Sequence, residues 1–343
     1  MKRALVIVQF LCLWLAPETN GQVYHSQELD TLLRKGIDLT LKQDYAGANS
    51  TFEMICIRFP THPAGYLYRA AVLQTKAMDF EDPIDEVPFD SLIEKGRFAA
   101  EGMILESPNS PLGHFYLGTA TGYSAYSHVE RGNWFTGITR GLSSASDFKK
   151  AMELDSSFYD AFVGVGTYYY WKSRKTSFLN WALGDRREEG MRLLETAATK
   201  GSYNRYAAMS ALVTIYLDAG QFRDAIRWAN QGLEKYPENR IFLWGLAAAQ
   251  EKSEEYERAL STYLILNKSI TEARITNPYN EVLCQLNTMK AQIALGQMKE
   301  VRTHVAKILS FEKYAFPSHL QMRARDKFDQ ARNIQAKFVV QEE

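Results

Sequence analysis

The stretch QFRDAIRWA (221–229) is followed 34 residues later by EYERALSTY (255–263), and this recurrence decides the fold. In each stretch an aromatic residue stands second and an alanine follows it three positions on. The pairs that keep the offset are Phe222 and Tyr256, Ala225 and Ala259, and Leu212 and Leu246. A fixed period of this length indicates an array of similar helical units stacked in sequence.

The recurring residue types have a packing reason. Two antiparallel helices approach closely only where a small residue on one of them faces the other. Each unit therefore needs a small residue on its first helix, another on its second helix, an aromatic residue one turn further on and a helix stop. Three units keep this order: Gly36, Ala48, Phe52 and Pro60; Tyr216, Gly220, Ala225 and Pro237; and, without the terminal proline, Ala247, Ala259 and Tyr263.

These units resemble the tetratricopeptide repeat (TPR) family, whose repeat is a 34-residue helix–turn–helix. The resemblance is clear over 29–62 and 206–271. It is looser over four further segments, namely 64–108, 111–156, 157–202 and 278–312. A short segment, 161–197, also resembles eukaryotic TPR proteins of the inclusion-body-clearance type, and we transfer no function from it.

The resemblance implies an all-α, right-handed superhelical solenoid of about seven TPR-like helix pairs. We expect one solenoid domain over 22–343, with an amphipathic capping helix near 317–340 that covers the last repeat. No segment shows a strand-like alternation of useful length. Other arrays of helix pairs are the alternative, and the 34-residue offset argues against them.

The N-terminus has the pattern of a secretory signal peptide, predicted over 1–21. Lys2 and Arg3 form a basic start, and the apolar run ALVIVQFLCLWLA (4–16) follows. Small residues then precede a cleavage point before Gln22. This predicts an exported protein, periplasmic or secreted, with a bacterial envelope favoured. An uncleaved anchor is the alternative, although the apolar run is short for a membrane span.

Composition narrows the function classes. Lys and Arg number 40 and so do Asp and Glu, and a chain without net charge has no long-range field to steer nucleic acid. No nucleophile elbow, phosphate loop or zinc-helix motif occurs, so we expect no enzyme, no cofactor and no metal site. Cys56 and Cys284 fall in distant repeats, which predicts two buried free thiols.

The first helices of TPR units line a concave surface, where we expect aromatic side chains to bind a partner. Thr119, Gly122, Ala161 and Val165 are expected between the rings. Rigid aromatic side chains give large contact area at low entropic cost. Burial of these rings by neighbouring repeats is the alternative. The predicted groove residues are Tyr68, Phe115, Tyr123, Tyr168, Tyr169 and Trp244.

Three insertions, near 79–88, 128–141 and 172–184, are expected as loops on one edge of the solenoid. The first is acidic, the second carries Trp134 and Phe135, and the third is basic and carries Trp181. The loops could form one binding lobe or only fill space. A cation site on the acidic loop and peripheral membrane contact by the third loop are further hypotheses.

Together these features favour a non-catalytic scaffold or adaptor that binds a protein or peptide partner in the cell envelope. A charged clamp for terminal carboxylates is not expected, because Leu33 and Ile37 occupy the corresponding sites of the first repeat. The alternative is a receptor that holds a small molecule or glycan in the aromatic groove. A long open groove would favour a peptide, and a closed pocket would favour a small ligand.

Overall fold

A computed structural model describes residues 25–179, 184–273 and 277–339. These residues form fifteen α-helices and no strand. The predicted signal peptide, 1–21, lies outside the described residues. The helices are α1 Gln27–Leu41, α2 Tyr45–Arg58, α3 Pro63–Phe80, α4 Glu86–Glu106, α5 Pro111–Glu130, α6 Trp134–Leu154, α7 Phe162–Lys175, α8 Arg187–Lys200, α9 Arg205–Asp218, α10 Phe222–Lys235, α11 Arg240–Lys252, α12 Tyr256–Glu272, α13 Tyr279–Ala294, α14 Val301–Ser310 and α15 Ser318–Val339.

Local chemistry sets several helix ends. Ser26, Asp44 and Asn239 cap α1, α2 and α11, because each side chain accepts a hydrogen bond from a backbone N–H of the first turn. Pro63 opens α3, where a missing N–H costs nothing. Gly220 connects α9 to α10 at a φ of 72°, in the left-handed region that favours glycine.

Consecutive helices pack in pairs, from α1 with α2 to α13 with α14, and α15 covers the last pair. The described part of the chain thus confirms an all-α solenoid of seven helix pairs with a cap. Small residues allow the close packing, as predicted: a Cβ placed on Gly36 would lie 2.4 Å from the Phe52 ring. Between α7 and α8 the backbones themselves meet, since a Cβ on Gly166 would lie 2.7 Å from the Gly190 oxygen.

Of the three predicted inserted loops, the second, at 128–141, is wrong, and the first, at 79–88, is shorter than predicted, because only 81–85 lie outside the helices. The extra residues of the second insertion extend α5 to Glu130 and begin α6 at Trp134, so only three residues connect the two helices. In the first insertion, α3 continues to Phe80 and α4 begins at Glu86. Added residues that continue a helical face lengthen a helix without breaking the packing of the pair. The third insertion remains a connection between α7 and α8, and 180–183 lie outside the described residues.

The solenoid is wound tightly enough for its second half to pack along its first. Tyr203, just before α9, donates a hydrogen bond through its hydroxyl to the Asp30 carboxylate on α1 at 2.5 Å. Asn239, before α11, donates to the Leu41 carbonyl at 2.8 Å. Connections between later repeats therefore rest on the first helix, and residues far apart in sequence share one interior.

A buried ion pair holds the second half of the solenoid against the first, a contact that we call the closure. Arg240 of α11 donates through Nε to Asp79 of α3 at 2.8 Å, and the side chains are 7% and 1% exposed. The Tyr45 hydroxyl donates to the same carboxylate at 2.8 Å. The Asn280 side chain donates to the Asp79 carbonyl at 2.7 Å, which brings α13 to the same point. Repeats 1, 2, 6 and 7 are joined here.

Candidate binding groove

A groove of about 490 Å³ lies between the first helices of the third and fourth repeats, α5 and α7, and opens broadly to solvent. The second helix of most repeats packs along the first helix of the next one, but α6 packs only sparsely on α7. This leaves a cleft with α6 as its floor. Its main lining side chains are Phe115, Thr119, Tyr123, Tyr126, Phe148, Val163, Thr167, Tyr168, Trp171 and Lys172.

The structure brings three of the six predicted groove residues together here: Phe115, Tyr123 and Tyr168. Thr119 and Gly122 lie between them, as expected. The other two expected spacers are placed wrongly. Ala161 and Val165 are buried in the core, and Val163 and Thr167 line the groove instead, so the assumed phase of α7 is right for Tyr168 and wrong for these two spacers.

The remaining predicted groove residues lie elsewhere. The Tyr68 ring stacks on Phe52 with centroids 5.2 Å apart and packs against the core. Tyr169 is buried beneath the Arg186 guanidinium, which lies 3.4 Å from the ring centroid. Trp244 lines a separate cavity of about 270 Å³ beside α9. The expectation that neighbouring repeats bury some rings therefore holds for Tyr169 and for Phe115, which is only 5% exposed although it lines the groove, and Tyr68 is partly buried. The six rings do not form one row.

Sequence reasoning missed Phe148 and Trp171, which both line the groove. Trp171 lies one turn beyond the predicted groove residue Tyr168, so the same helical face would have indicated it. Phe148 also packs internally, because a Cβ placed on Gly164 would lie 2.1 Å from its ring. Phe148 therefore forms part of the groove wall, although the repeat pattern alone indicates a core residue at this position.

Glycine on α6 keeps the floor of the groove empty. A Cβ placed on Gly141 would meet no heavy atom within 4 Å, although this residue lines the groove. A Cβ on Gly122, opposite, would lie 3.0 Å from the Ser144 hydroxyl, so α5 and α6 are close there. A larger side chain at 141 would therefore occupy the groove and leave the helix packing unchanged.

The floor continues beyond the groove along an exposed apolar face of α6. Trp134 and Phe148 stand seven residues before and after Gly141, so the three share one face of the helix. Trp134 is 63% exposed and Ile138, one turn before Gly141, is 61% exposed. Phe135 is 82% exposed on an adjoining face. The face from 134 to 148 measures about 21 Å along the helix axis.

The proposed loop lobe is replaced by this arrangement. Trp134 and Phe135 belong to the first turn of α6 and not to a loop. Trp181 lies outside the described residues. Of the third insertion, Phe178 is 73% exposed. Whether these side chains bind a partner stays a prediction.

Four of the five acidic residues of the first insertion have partners. Asp79 pairs with Arg240, and Glu81 pairs with Arg323 of the capping helix at 2.8 Å. Asp82 accepts from Asn277 at 2.8 Å. Glu86 likewise pairs with Arg131 at 3.0 Å. Over the described residues, no group of three or more His, Cys, Asp or Glu side chains is arranged to hold a metal ion.

One acid that lines the groove serves the fold. Asp160 is buried and accepts backbone hydrogen bonds from Tyr203 at 3.0 Å and Asn204 at 2.7 Å, so it holds the start of α9. Burial raises the pKa of the Asp160 carboxyl above its ordinary value. The burial prediction for the thiols holds for Cys284, whose pKa burial raises to about 12, and Cys56 is only partly buried.

Within the described residues, no helix has the length and apolar character to cross a membrane. No protein-family model matches the chain. A search of curated proteins also found no match.

Solved structures do share the fold. In the crystal structure of the APC/C hetero-tetramer Cut9–Hcn1, the match has a TM-score of 0.55 at 12% identity and covers 89% of this chain. It spans 49% of that chain, about half its length. YrrB, described as a TPR protein with an unusual peptide-binding site, matches with a TM-score of 0.46 at 15% identity, over 67% of this chain and 99% of its own. TTC0263, a thermophilic TPR protein of Thermus thermophilus, matches with a TM-score of 0.41 at 18% identity, over 64% and 97%.

Proposed function

Since the chain is an all-α solenoid of the TPR type, we propose that it is a non-catalytic scaffold that binds a segment of a partner protein in the groove between α5 and α7. The observation that carries this proposal is the open aromatic groove of about 490 Å³, with Phe115, Tyr168 and Trp171 in its wall. Rings held by packing provide contact area without a large loss of rotamer entropy on binding.

The shape of the groove favours a peptide over a small molecule or a glycan. Small-ligand sites enclose most of the ligand surface, whereas this groove is open to solvent along one side. Its floor and the adjoining exposed face of α6 together extend about 21 Å. An extended chain advances about 3.3 Å per residue, so the groove and its continuation match about six residues.

Blocking the groove tests this function. Leucine in place of Gly141 would project into the groove, because the position has no neighbour within 4 Å. Gly102, on α4, has equally open surroundings and does not line the groove, so Gly102→Leu is the matched control. We expect wild type and Gly102→Leu to enrich the same sequences from a displayed library of random 12-residue peptides, and Gly141→Leu to lose them.

No enrichment on the wild type, or equal enrichment on Gly141→Leu, would refute a peptide function for this groove. A glycan array then examines the alternative ligand class. Membrane contact is the competing use of Trp134 and Phe135, and flotation with anionic liposomes separates it from peptide binding. A Trp134→Ala chain that loses flotation but keeps the peptides would assign the α6 N-terminus to a membrane.

We also propose that the partner is met in the cell envelope after export. The support is the basic start and apolar run of residues 2–16 and the small residues before Gln22. Expression of the full chain in a bacterium, followed by fractionation and intact mass measurement, tests this. A mature chain in the periplasm that begins at Gln22 is expected, and a full-length chain in the cytoplasm would contradict it.

A further inference from the structure

Two lysines converge on one ring of the groove. The ammonium nitrogen of Lys149 on α6 lies 5.8 Å from the centroid of the Tyr168 ring, and that of Lys172 on α7 lies 5.7 Å from it. Lys149 also lies 4.9 Å from the neighbouring Tyr169 ring. These contacts hold both positive charges at the same end of the groove.

Neighbouring cations form close ion pairs with acids, and these two do not. Arg186 pairs with Glu189 at 2.5 Å, and Arg174 pairs with Asp218 at 2.8 Å. Lys150, next in sequence to Lys149, pairs with Glu153 at 3.6 Å. Across the described ranges, neither Lys149 nor Lys172 forms an ion pair. The Glu189 carboxylate, which pairs with Arg186, also interacts electrostatically with Lys149. Three cations, Lys149, Lys172 and Arg186, line the same small cavity, so one acid leaves an excess of positive charge there that favours an anionic ligand.

The space beside them suits a small anion that belongs to a groove ligand. A cavity of about 60 Å³ is bounded by the two lysines, Tyr168 and Ser173, with room for one carboxylate. Tyr168 and Lys172 line both this cavity and the groove. A ligand in the groove can therefore place an anionic group between the lysines without leaving the aromatic wall.

Carboxylate fits this site better than phosphate. Bidentate recognition of phosphate relies on a free guanidinium fork. The fork of the adjacent Arg186 is occupied, because its Nε and Nη2 both donate to the Glu189 carboxylate. What remains are two ammonium groups, which act as point charges toward a singly charged carboxylate.

We propose, resting on the peptide function above, that the partner segment carries a carboxylate next to an aromatic or large aliphatic side chain. The apolar side chain occupies the groove near Trp171, and the carboxylate lies between Lys149 and Lys172. The carboxylate comes from an Asp or Glu side chain or from a C-terminus. The preference for acid is then a property of α6 and α7, and not of the first repeat.

The test uses the full chain and peptides selected from the displayed library. The selected sequences are synthesised with amidated and with free C-termini, and each Asp or Glu is replaced by Asn or Gln. Fluorescence anisotropy gives the Kd of each peptide for wild type, Lys149→Gln, Lys172→Gln and the control Lys150→Gln. We expect acidic residues beside apolar ones in the selected set. We also expect each neutral peptide, and each of the first two variants, to bind about five- to tenfold more weakly.

The outcomes separate the two proposals. Selected peptides without acid preference, or peptides whose Kd is the same for wild type, Lys149→Gln and Lys172→Gln, overturn the carboxylate site and leave the peptide groove in place. Failure to select any peptide overturns both. Loss of binding on amidation alone assigns the site to C-termini, and loss on Asp→Asn alone assigns it to side chains. A Kd that rises with NaCl for the acidic but not the neutral peptides supports the same charge pairing.

Discussion

Removing the Asp79 carboxylate is expected to open the closure between the two halves of the solenoid. In Asp79→Ala, the Arg240 guanidinium stays buried at 7% exposure without a counter-charge. Breaking a buried pair from one side costs about 3 to 5 kcal/mol. The Tyr45 hydroxyl loses its acceptor as well, at 2.8 Å in the wild type, which adds about 1 kcal/mol. Against a total stability of about 5 to 15 kcal/mol, this is a large share.

Urea denaturation followed by tryptophan fluorescence measures the loss. Three variants give the comparison: Asp79→Ala, Arg240→Met, and the double variant with both changes. The double variant should lose less than the sum of the single ones, because it leaves no unpaired charge. The exposed pair Lys268–Glu272 is the control, and Glu272→Ala should cost under about 0.5 kcal/mol. An Asp79→Ala chain that loses less than about 1 kcal/mol would refute this account of the closure.

Three smaller predictions concern packing and titration. Gly36→Ala should lower the free energy of unfolding by about 1 to 3 kcal/mol, because its Cβ would lie 2.4 Å from the Phe52 ring. Gly141→Ala should raise it by about 0.5 to 1 kcal/mol, because its Cβ meets no neighbour and alanine favours the helix. Urea denaturation measures both changes, and two changes of the same sign would contradict this account of how the two glycines pack. Burial lowers the pKa of His62 from 6.5 to about 3. Its contribution to stability is therefore complete above pH 6.5 and lost toward pH 3. The His62→Asn chain, in which Asn still caps α3, should therefore lose less of its melting temperature than the wild type between pH 7 and pH 4. The same dependence of melting temperature on pH in both chains would contradict this assignment. The Cys284 thiol should resist alkylation by iodoacetamide at pH 8 until the chain unfolds, because burial raises its pKa to about 12. Mass spectrometry of native and unfolded samples measures the alkylation, and modification of Cys284 in the native sample would contradict the prediction.

The fold could be predicted from sequence because its cause is local and periodic. Small residues such as Gly36 recur at fixed distances from the aromatic residues that pack on them, and each repeat carries this information within itself. The lengths of the helices were harder to predict from the sequence. The extra residues at 128–141 contain Gly and polar residues that suggest a loop, yet they continue α5 and α6 because the lengthened helices pack along each other.

The groove was only half predictable, since it depends on the phase of weak repeats and on contacts between distant ones. Phe115 and Tyr123 were placed correctly although 111–156 resembles the repeat only loosely, and on α7 Tyr168 was placed correctly while the expected spacers Ala161 and Val165 lie in the core. The pair of Asp79 and Arg240 joins residues 161 apart. No repeat pattern predicts this contact, because it arises from how tightly the whole superhelix winds.

A crystal structure of the full chain with one library-selected peptide tests the central claim most directly. The account predicts an extended peptide between α5 and α7, with an apolar side chain against Trp171 and Phe115. A peptide held elsewhere, for example in the cavity beside Trp244, would contradict it, even if the affinity were high.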